Sequence, residues 1–369
     1  MELKERVGQM IMAGFDGLRP SPEIKEMITR YKIGGVILFK RNIESLPQVL
    51  KLTRDLQKLS PDSPLFIGID QEGGRVSRLS EEFTIFPPMA MLGRHDSIPL
   101  CYSAGEVTAR ELKSVGVNLN FAPVLDINSN PENPIIGDRA LGTTPSVVCK
   151  LSLPIIMGHQ DNGVIACGKH FPGHGDTISD SHKTLPKVDH SLERLLDFEM
   201  RPFQHTAANR LASMMTAHVL YTCLDPERPA SLSKNIVTQI LREGMAFDGL
   251  VFSDDLEMQA ILDHYQVGDA AVKAVQAGSD IVLVCHRTDL QREAYEGLMH
   301  ACKKGLLSDK RLAVSLTRIS KAKEKYLFPA EPPQLKKAKE IVGCDAHREI
   351  LEQVLAPPVR KVSAARRSG

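Results

Sequence analysis

The 369-residue chain contains no tryptophan, and aromatic residues make up only 5% of it. Long polysaccharide grooves depend on large flat faces for stacking, so this scarcity argues for a small pocket and against an extended cleft. The seven cysteines, Cys101, Cys149, Cys167, Cys223, Cys285, Cys302 and Cys344, are scattered, odd in number and free of any C-x-x-C pair. That pattern opposes a disulfide framework and a zinc–thiolate site and fits a reducing compartment. No apolar run is long enough to span a bilayer, and the opening Met-Glu-Leu-Lys-Glu-Arg-Val lacks the apolar core of a signal peptide. A cytoplasmic protein without a membrane partner is therefore expected. Charge is also in balance, with 46 Lys+Arg against 45 Asp+Glu and a formal net charge of +1, so nucleic acid is not an expected partner.

What the sequence does have is alternation. Eight short, almost continuously apolar runs recur, at Met10–Gly14, Val36–Phe39, Leu65–Ile69, Asn118–Ala122, Val164–Gly168, Ser213–Ala217, Leu250–Ser253 and Ile281–Cys285. Such runs read as strands buried on both faces. The segments between them carry helical period. Ser21-Pro22 opens one with an N-cap and a first-turn proline, and Ile24, Met27, Ile28 and Tyr31 share a face. Ser233 before Ile236, Val237, Ile240 and Leu241 marks another, as does Ser191 before Leu192, Leu195 and Leu196. Eight strand–helix units predict an α/β fold, a (β/α)8 TIM-type barrel over residues 1–328. An open doubly wound sheet is disfavoured because no Gly-rich dinucleotide fingerprint follows the first strand. Residues 329–369 read as a Pro-rich linker, two short helical stretches and a basic tail.

In such barrels the chemistry gathers in loops at the C-terminal ends of the strands. There the sequence places Asp70-Gln71-Glu72-Gly73-Gly74-Arg75, then Asp126 and Gly137-Asp138-Arg139, then Lys169-His170-Phe171-Pro172-Gly173-His174-Gly175-Asp176, then His218, and then Asp254-Asp255. Charged groups at strand ends are costly unless paired or wet, and five such ends in one register describe a polar pocket. His170 and His174 are four residues apart, as in a zinc helix, but Pro172 and Gly173 between them oppose a helix, so no metal is expected. Asp180-Ser181-His182 lets a carboxylate hold one ring nitrogen while the other gives or takes a proton. No G-x-S-x-G elbow is present, and strand alternation points Ser253 away from Asp254. Asp254 takes the role of nucleophile toward an anomeric carbon, with Asp255 structural. Adjacent carboxylates also suit attack by a substrate N-acetyl group, and residue types alone leave that open.

These motifs resemble a known family. Lys169-His170-Phe171-Pro172-Gly173-His174-Gly175 with Asp180-Ser181-His182, the Phe252-Ser253-Asp254-Asp255-Leu256 strand and Ile69-Asp70-Gln71-Glu72-Gly73-Gly74-Arg75-Val76 are similar to those of the bacterial β-N-acetylhexosaminidases of glycoside hydrolase family 3, from about Lys4 to about Lys325. The resemblance implies a retaining hydrolase of the single-domain, cell-wall recycling type. It implies Asp254 as nucleophile, His182 as acid/base with Asp180 as its partner, and a fifth-strand loop that closes on substrate. Asp70, Arg78, Arg139, Lys169, His170 and His218 are implied to contact a terminal β-linked N-acetylglucosamine. The implied substrate is an N-acetylglucosaminyl-1,6-anhydro-muramyl fragment, handled without a cofactor by a monomer or weak homodimer. The β-glucosidase branch usually takes its acid/base from a second domain, which His182 replaces here. A glycoside phosphorylase and a non-catalytic sugar-binding sensor are the competing readings. Position 71 is Gln where many relatives carry His.

Overall fold

All eight apolar runs become parallel strands: β1 Ile11–Ala13, β2 Gly35–Leu38, β3 Phe66–Ile69, β4 Leu119–Asn120, β5 Ile165–Phe171, β6 Ser213–Thr216, β7 Leu250–Asp255 and β8 Ile281–Val284. The computed structural model describes residues 1–177, 184–328 and 332–358. Each strand pairs with its neighbours in sequence, and β8 pairs with β1 (Ile11 opposite Val282), closing the barrel. The fold is thus the (β/α)8 barrel, and its strands are buried because helices cover the outside and side chains fill the inside. Inside, the Phe121 and Phe252 rings meet edge to face at 5.3 Å. Among the described residues no helix is long and apolar enough to cross a membrane.

The helix starts follow their capping chemistry. Ser21 Oγ accepts the Ile24 N–H at 3.3 Å, and Ile24, Met27 and Ile28 of the helix Pro22–Thr29 are buried. Ser233 Oγ accepts the Ile236 N–H, again at 3.3 Å. Ser191 Oγ accepts the Arg194 N–H, but of the leucines after it only Leu195 turns inward; Leu192 and Leu196 are 47% and 42% exposed. The one-face expectation fails there because this segment covers the barrel rim through a single turn.

Two strands run further than the apolar pattern suggests. β5 continues through Lys169 and His170 to Phe171, and β7 includes Asp254 and Asp255. Residues that the sequence placed in loops therefore stand on the barrel itself, where the ladder fixes them more firmly than a loop would. β4 is conversely short, since Pro123 cannot donate to the ladder, and pairing resumes with a Val124–Lys169 bridge. The opposite mouth of the barrel is closed by Asp280, fully buried among Arg242, Arg311 and Arg318.

Beyond the barrel, the helices Leu335–Ile341 and Asp345–Leu355 dock against the barrel helix Ile98–Ser114. One buried carboxylate makes the joint. Glu111 accepts the Thr84 N–H at 2.8 Å and its hydroxyl at 2.7 Å, the Gly343 N–H at 2.9 Å, and pairs with His347 Nδ1 at 2.8 Å. Gly343 sits at φ +60°, where a Cβ would stand 2.4 Å from the Glu82 carbonyl. Glu82 and Thr84 belong to the return leg of the long β3 loop, so this extension straps that loop down. Replacing Glu111 strands several buried donors, each worth about 1–3 kcal/mol when unpaired. Glu111→Ala should lower the unfolding free energy by about 3 kcal/mol, measured from urea denaturation midpoints.

Candidate active site

The charged residues at the C-terminal strand ends face one cavity of about 330 Å³. At its centre the Lys169 ammonium lies 2.7 Å from Asp70 Oδ1 and 2.7 Å from Glu72 Oε1. Arg139 meets the same Glu72 with both arms, Nε on Oε2 and Nη2 on Oε1, each at 2.8 Å. Burial opposes the charge on Glu72, but the Lys169 and Arg139 cations outweigh it and hold the carboxyl far below the usual range. Burial likewise opposes the Lys169 ammonium, yet Asp70 and Glu72 keep it above its ordinary value. Charges this deep persist only when paired and hydrogen-bonded.

His170 points from β5 into the same cavity. Its Nδ1 is held at 2.7 Å by Asp126, a fully buried carboxylate that also accepts the His170 and His174 backbone N–H groups. With Nδ1 engaged, Nε2 is the nitrogen that can meet a ligand. His174 also lines the cavity; its Nδ1 lies 2.8 Å from Thr177 Oγ1, and burial pushes its pKa down to about 4. The ring pair sits 5.8 Å apart, edge to face.

Asp254 closes the floor from β7. Burial would raise its pKa, but His170, His218, the Asp255 N–H and Lys169 together bring it below the ordinary value. One oxygen accepts the Asp255 N–H at 2.8 Å. Asp255 is spent on structure, as expected: its Oδ1 accepts the Glu257 and Cys285 N–H groups, and its Oδ2 lies 3.3 Å from His286 Nε2. That contact pushes the His286 imidazole above its ordinary pKa. Ser253 faces away and accepts the Leu283 N–H at 3.1 Å.

The structure thus brings Asp70, Arg78, Arg139, Lys169, His170 and Asp254 around one space. It does not bring His218 there. His218 is fully buried behind β7, with Nδ1 2.7 Å from Ser231 Oγ and Nε2 3.0 Å from the Asp255 carbonyl. In place of the sugar contact the resemblance implies, it braces the strand end that carries Asp254. Asp180 and His182 lie outside the described residues. The chain enters that segment from Thr177, which Asn133 and His174 hold beside the cavity. It leaves into Lys187–Val188, paired in parallel with Leu220–Tyr221.

Gln71 also proves to be structural. Its side-chain oxygen accepts the Arg78 N–H at 2.9 Å and its amide donates to Ser77 Oγ at 2.7 Å, which shapes the turn that presents Arg78. The Arg78 guanidinium lies 3.6 Å from Asp70, and its Nε has no hydrogen-bond partner among the described residues. Gly74, at φ +54°, lets the return leg close over this turn through its N–H to Phe86 O, where a Cβ would stand 2.6 Å from Pro88. Behind Gln71, Asn120 bridges to His159, whose neutral ring donates to Ile155 O and accepts from Asn120.

Reading from the sequence missed Glu72, Asp126 and His174 as site residues, together with the outer wall of Phe39, Glu257, Met258 and His286. Glu72 had a signal: two residues after Asp70, it shares a face in extended chain, and Lys169 with Arg139 needs a second anion. The outer wall had none, since its members come from strand ends far apart in sequence.

A barrel whose mouth holds an ionised carboxylate beside a buried polar cluster has the form of a glycoside-cleaving enzyme. Residues 2–322 match the family described as glycosyl hydrolase family 3 N terminal domain, and the chain belongs to that family. It is 37% identical over 368 residues to β-hexosaminidase A of Pseudoalteromonas piscicida, covering 92% of this chain but only 61% of that one. A solved family 3 β-N-acetylglucosaminidase from Paenibacillus sp. str. FPU-7 superposes with a TM-score of 0.93 at 42% identity, over 96% of this chain and 68% of the other. NagZ from Neisseria gonorrhoeae, solved in complex with N-trifluoroacetyl-D-glucosamine, superposes with a TM-score of 0.78 at 32% identity, over 94% of this chain and 96% of that one.

Burial makes the support of this site sensitive to acid. The His159 pKa falls from 6.5 to about 4 on folding. Between those values the unfolded chain binds more protons, so stability drops as pH falls through that window. At pH 5 this residue should cost about 2 kcal/mol relative to neutral pH. His159→Gln should shrink the stability difference between pH 7 and pH 5 by that amount, as read from urea titrations at both.

Proposed function

We propose that the chain is a retaining exo-β-N-acetylglucosaminidase that releases terminal N-acetylglucosamine from peptidoglycan-derived 1,6-anhydro-muramyl fragments in the cytoplasm. One observation carries this reading: Asp254, kept ionised, faces the same small cavity as Asp70, Arg78, Arg139, Lys169 and His170. The names of the relatives supply the sugar, and the cavity, near the lower end of ligand-pocket sizes, suits one terminal residue.

In this mechanism Asp70, Lys169, Arg139 and His170 hold the hydroxyl groups of the sugar, and the unspent Arg78 Nε supplies one further donor. Asp254 attacks the anomeric carbon. The bond to the leaving oxygen breaks as His182, oriented by Asp180, gives that oxygen a proton. A glycosyl ester on Asp254 results. His182 then removes a proton from water, which attacks the same carbon from the face the leaving group vacated; Asp254 departs and the β configuration is restored. His218 contributes by fixing the Asp255 carbonyl and with it the end of the nucleophile strand.

The test is hydrolysis of a chromogenic β-N-acetylglucosaminide beside the matching β-glucoside. Release from the first alone is expected, with Asp254→Ala lowering kcat by about 10⁴-fold or more and His182→Ala by about 10²–10⁴-fold. Release from the glucoside alone would overturn the sugar assignment. Turnover that requires phosphate and yields a sugar phosphate would replace the hydrolase with a phosphorylase. Tight binding of N-acetylglucosamine without turnover of any glycoside would replace it with a sensor.

A further inference from the structure

The cavity wall divides by chemistry. The inner part is the buried charged cluster. The outer part carries two rings that the mechanism above leaves unused: Phe39, half-buried after β2, and His286, exposed after β8. Their ring centroids are 5.3 Å apart with planes tilted by 34°, so together they present a shallow, nearly continuous face. The other rings lining the cavity, His170 and His174, are buried.

The two rings are held by more hydrogen bonding than a chance surface pair needs. The Phe39 N–H donates to Asn42 Oδ1 at 2.9 Å, and Asn42, fully buried, donates in turn to the Phe15 and Gly17 carbonyls at 3.0 and 2.9 Å. The Arg41 guanidinium lies 4.4 Å from the Phe39 ring centre. The same guanidinium donates to the Phe15 carbonyl at 3.0 Å and to the Cys285 carbonyl at 2.7 Å. His286 is fixed at both ends, through its ring to Asp255 Oδ2 at 3.3 Å and through its N–H to Glu257 Oε1 at 2.6 Å. Segments following β1, β2, β7 and β8 are thereby tied into one unit whose open face is the ring pair. A fixed flat face loses little entropy when a ligand lies on it.

We propose that Phe39 and His286 form the platform for the leaving group, taking a ring with a flat or C–H-rich face, such as a second pyranose, while the inner cluster holds the sugar being released. This rests on the glycosidase reading. It assigns selectivity between leaving groups to two residues outside the inner cluster. In a chain without tryptophan, the platform is assembled from a phenyl ring and an imidazole that a carboxylate next to the nucleophile holds in place. Stacking of this kind is worth a few-fold to about tenfold per ring.

The experiment compares kcat/KM for N,N′-diacetylchitobiose and for methyl N-acetyl-β-glucosaminide in the unaltered chain, Phe39→Ala, His286→Ala and His286→Phe. Taking the ratio of the two substrates within each protein cancels any loss of folded enzyme and any disturbance of Asp254. The ratio should fall about tenfold in Phe39→Ala and several-fold in His286→Ala, and should recover in His286→Phe, which keeps a ring without an imidazole. Equal losses on both substrates would overturn the platform. So would failure of His286→Phe to recover, which would assign His286 a polar contact instead. If the unaltered chain cleaves neither glycoside, the glycosidase reading itself falls, and the platform with it.

Discussion

The Lys169 ammonium, 2.7 Å from Asp70 and 2.7 Å from Glu72, is the point through which the site is organised. Removing three such charges from water costs several kcal/mol per ion. Only close geometry repays that cost, so Lys169 and Arg139 dictate where β3, β5 and the loop after β4 must stand relative to one another. Sugar hydroxyls then meet donors and acceptors already fixed in place, and no reorganisation is needed when the ligand arrives. Asp254 gains from the same arrangement, since part of what keeps it ionised is the nearby Lys169 charge.

A buried charge cluster is not in itself a site, and this barrel holds the comparison within one molecule. At the opposite mouth Asp280 is as deeply buried among three arginines as Glu72 is among its cations. Those arginines also bond to neighbouring backbone carbonyls: Arg242 to Phe247 and Gly249, and Arg311 to Val275 and Ser279. Asp280 itself takes the Val251 N–H. Its bonding is directed inward and stitches strands together. The upper cluster instead includes Arg78, whose Nε is unspent among the described residues, and it borders open space.

The barrel was legible because its evidence is local: eight apolar runs, each with capping residues before the following helix, and every one of them pairs where the pattern placed it. Asp254 and the Asp70–Lys169–Arg139 group were legible because charge at a strand end is conspicuous. His218 shows where that reasoning stops. It has the right residue type at the right strand end, but Ser231, thirteen residues later, and the Asp255 carbonyl occupy both its nitrogens. Nothing in a linear pattern announces such partners. Gln71 failed to announce itself for the same reason: its role is set by the fold of the turn at Ser77–Arg78, a tertiary fact.

The Glu111 joint has a mechanical meaning. Its carboxylate grips Thr84 on one side and Gly343 and His347 on the other. Gly74 and Phe86 carry the connection on to the turn that presents Arg78. A load applied to the helix Asp345–Leu355 would therefore travel along the polypeptide to the entrance of the pocket without crossing the barrel. In relatives of which this chain spans only 61%, anything hinged beyond that helix would hold one end of a tether whose other end is the guanidinium over the bound sugar.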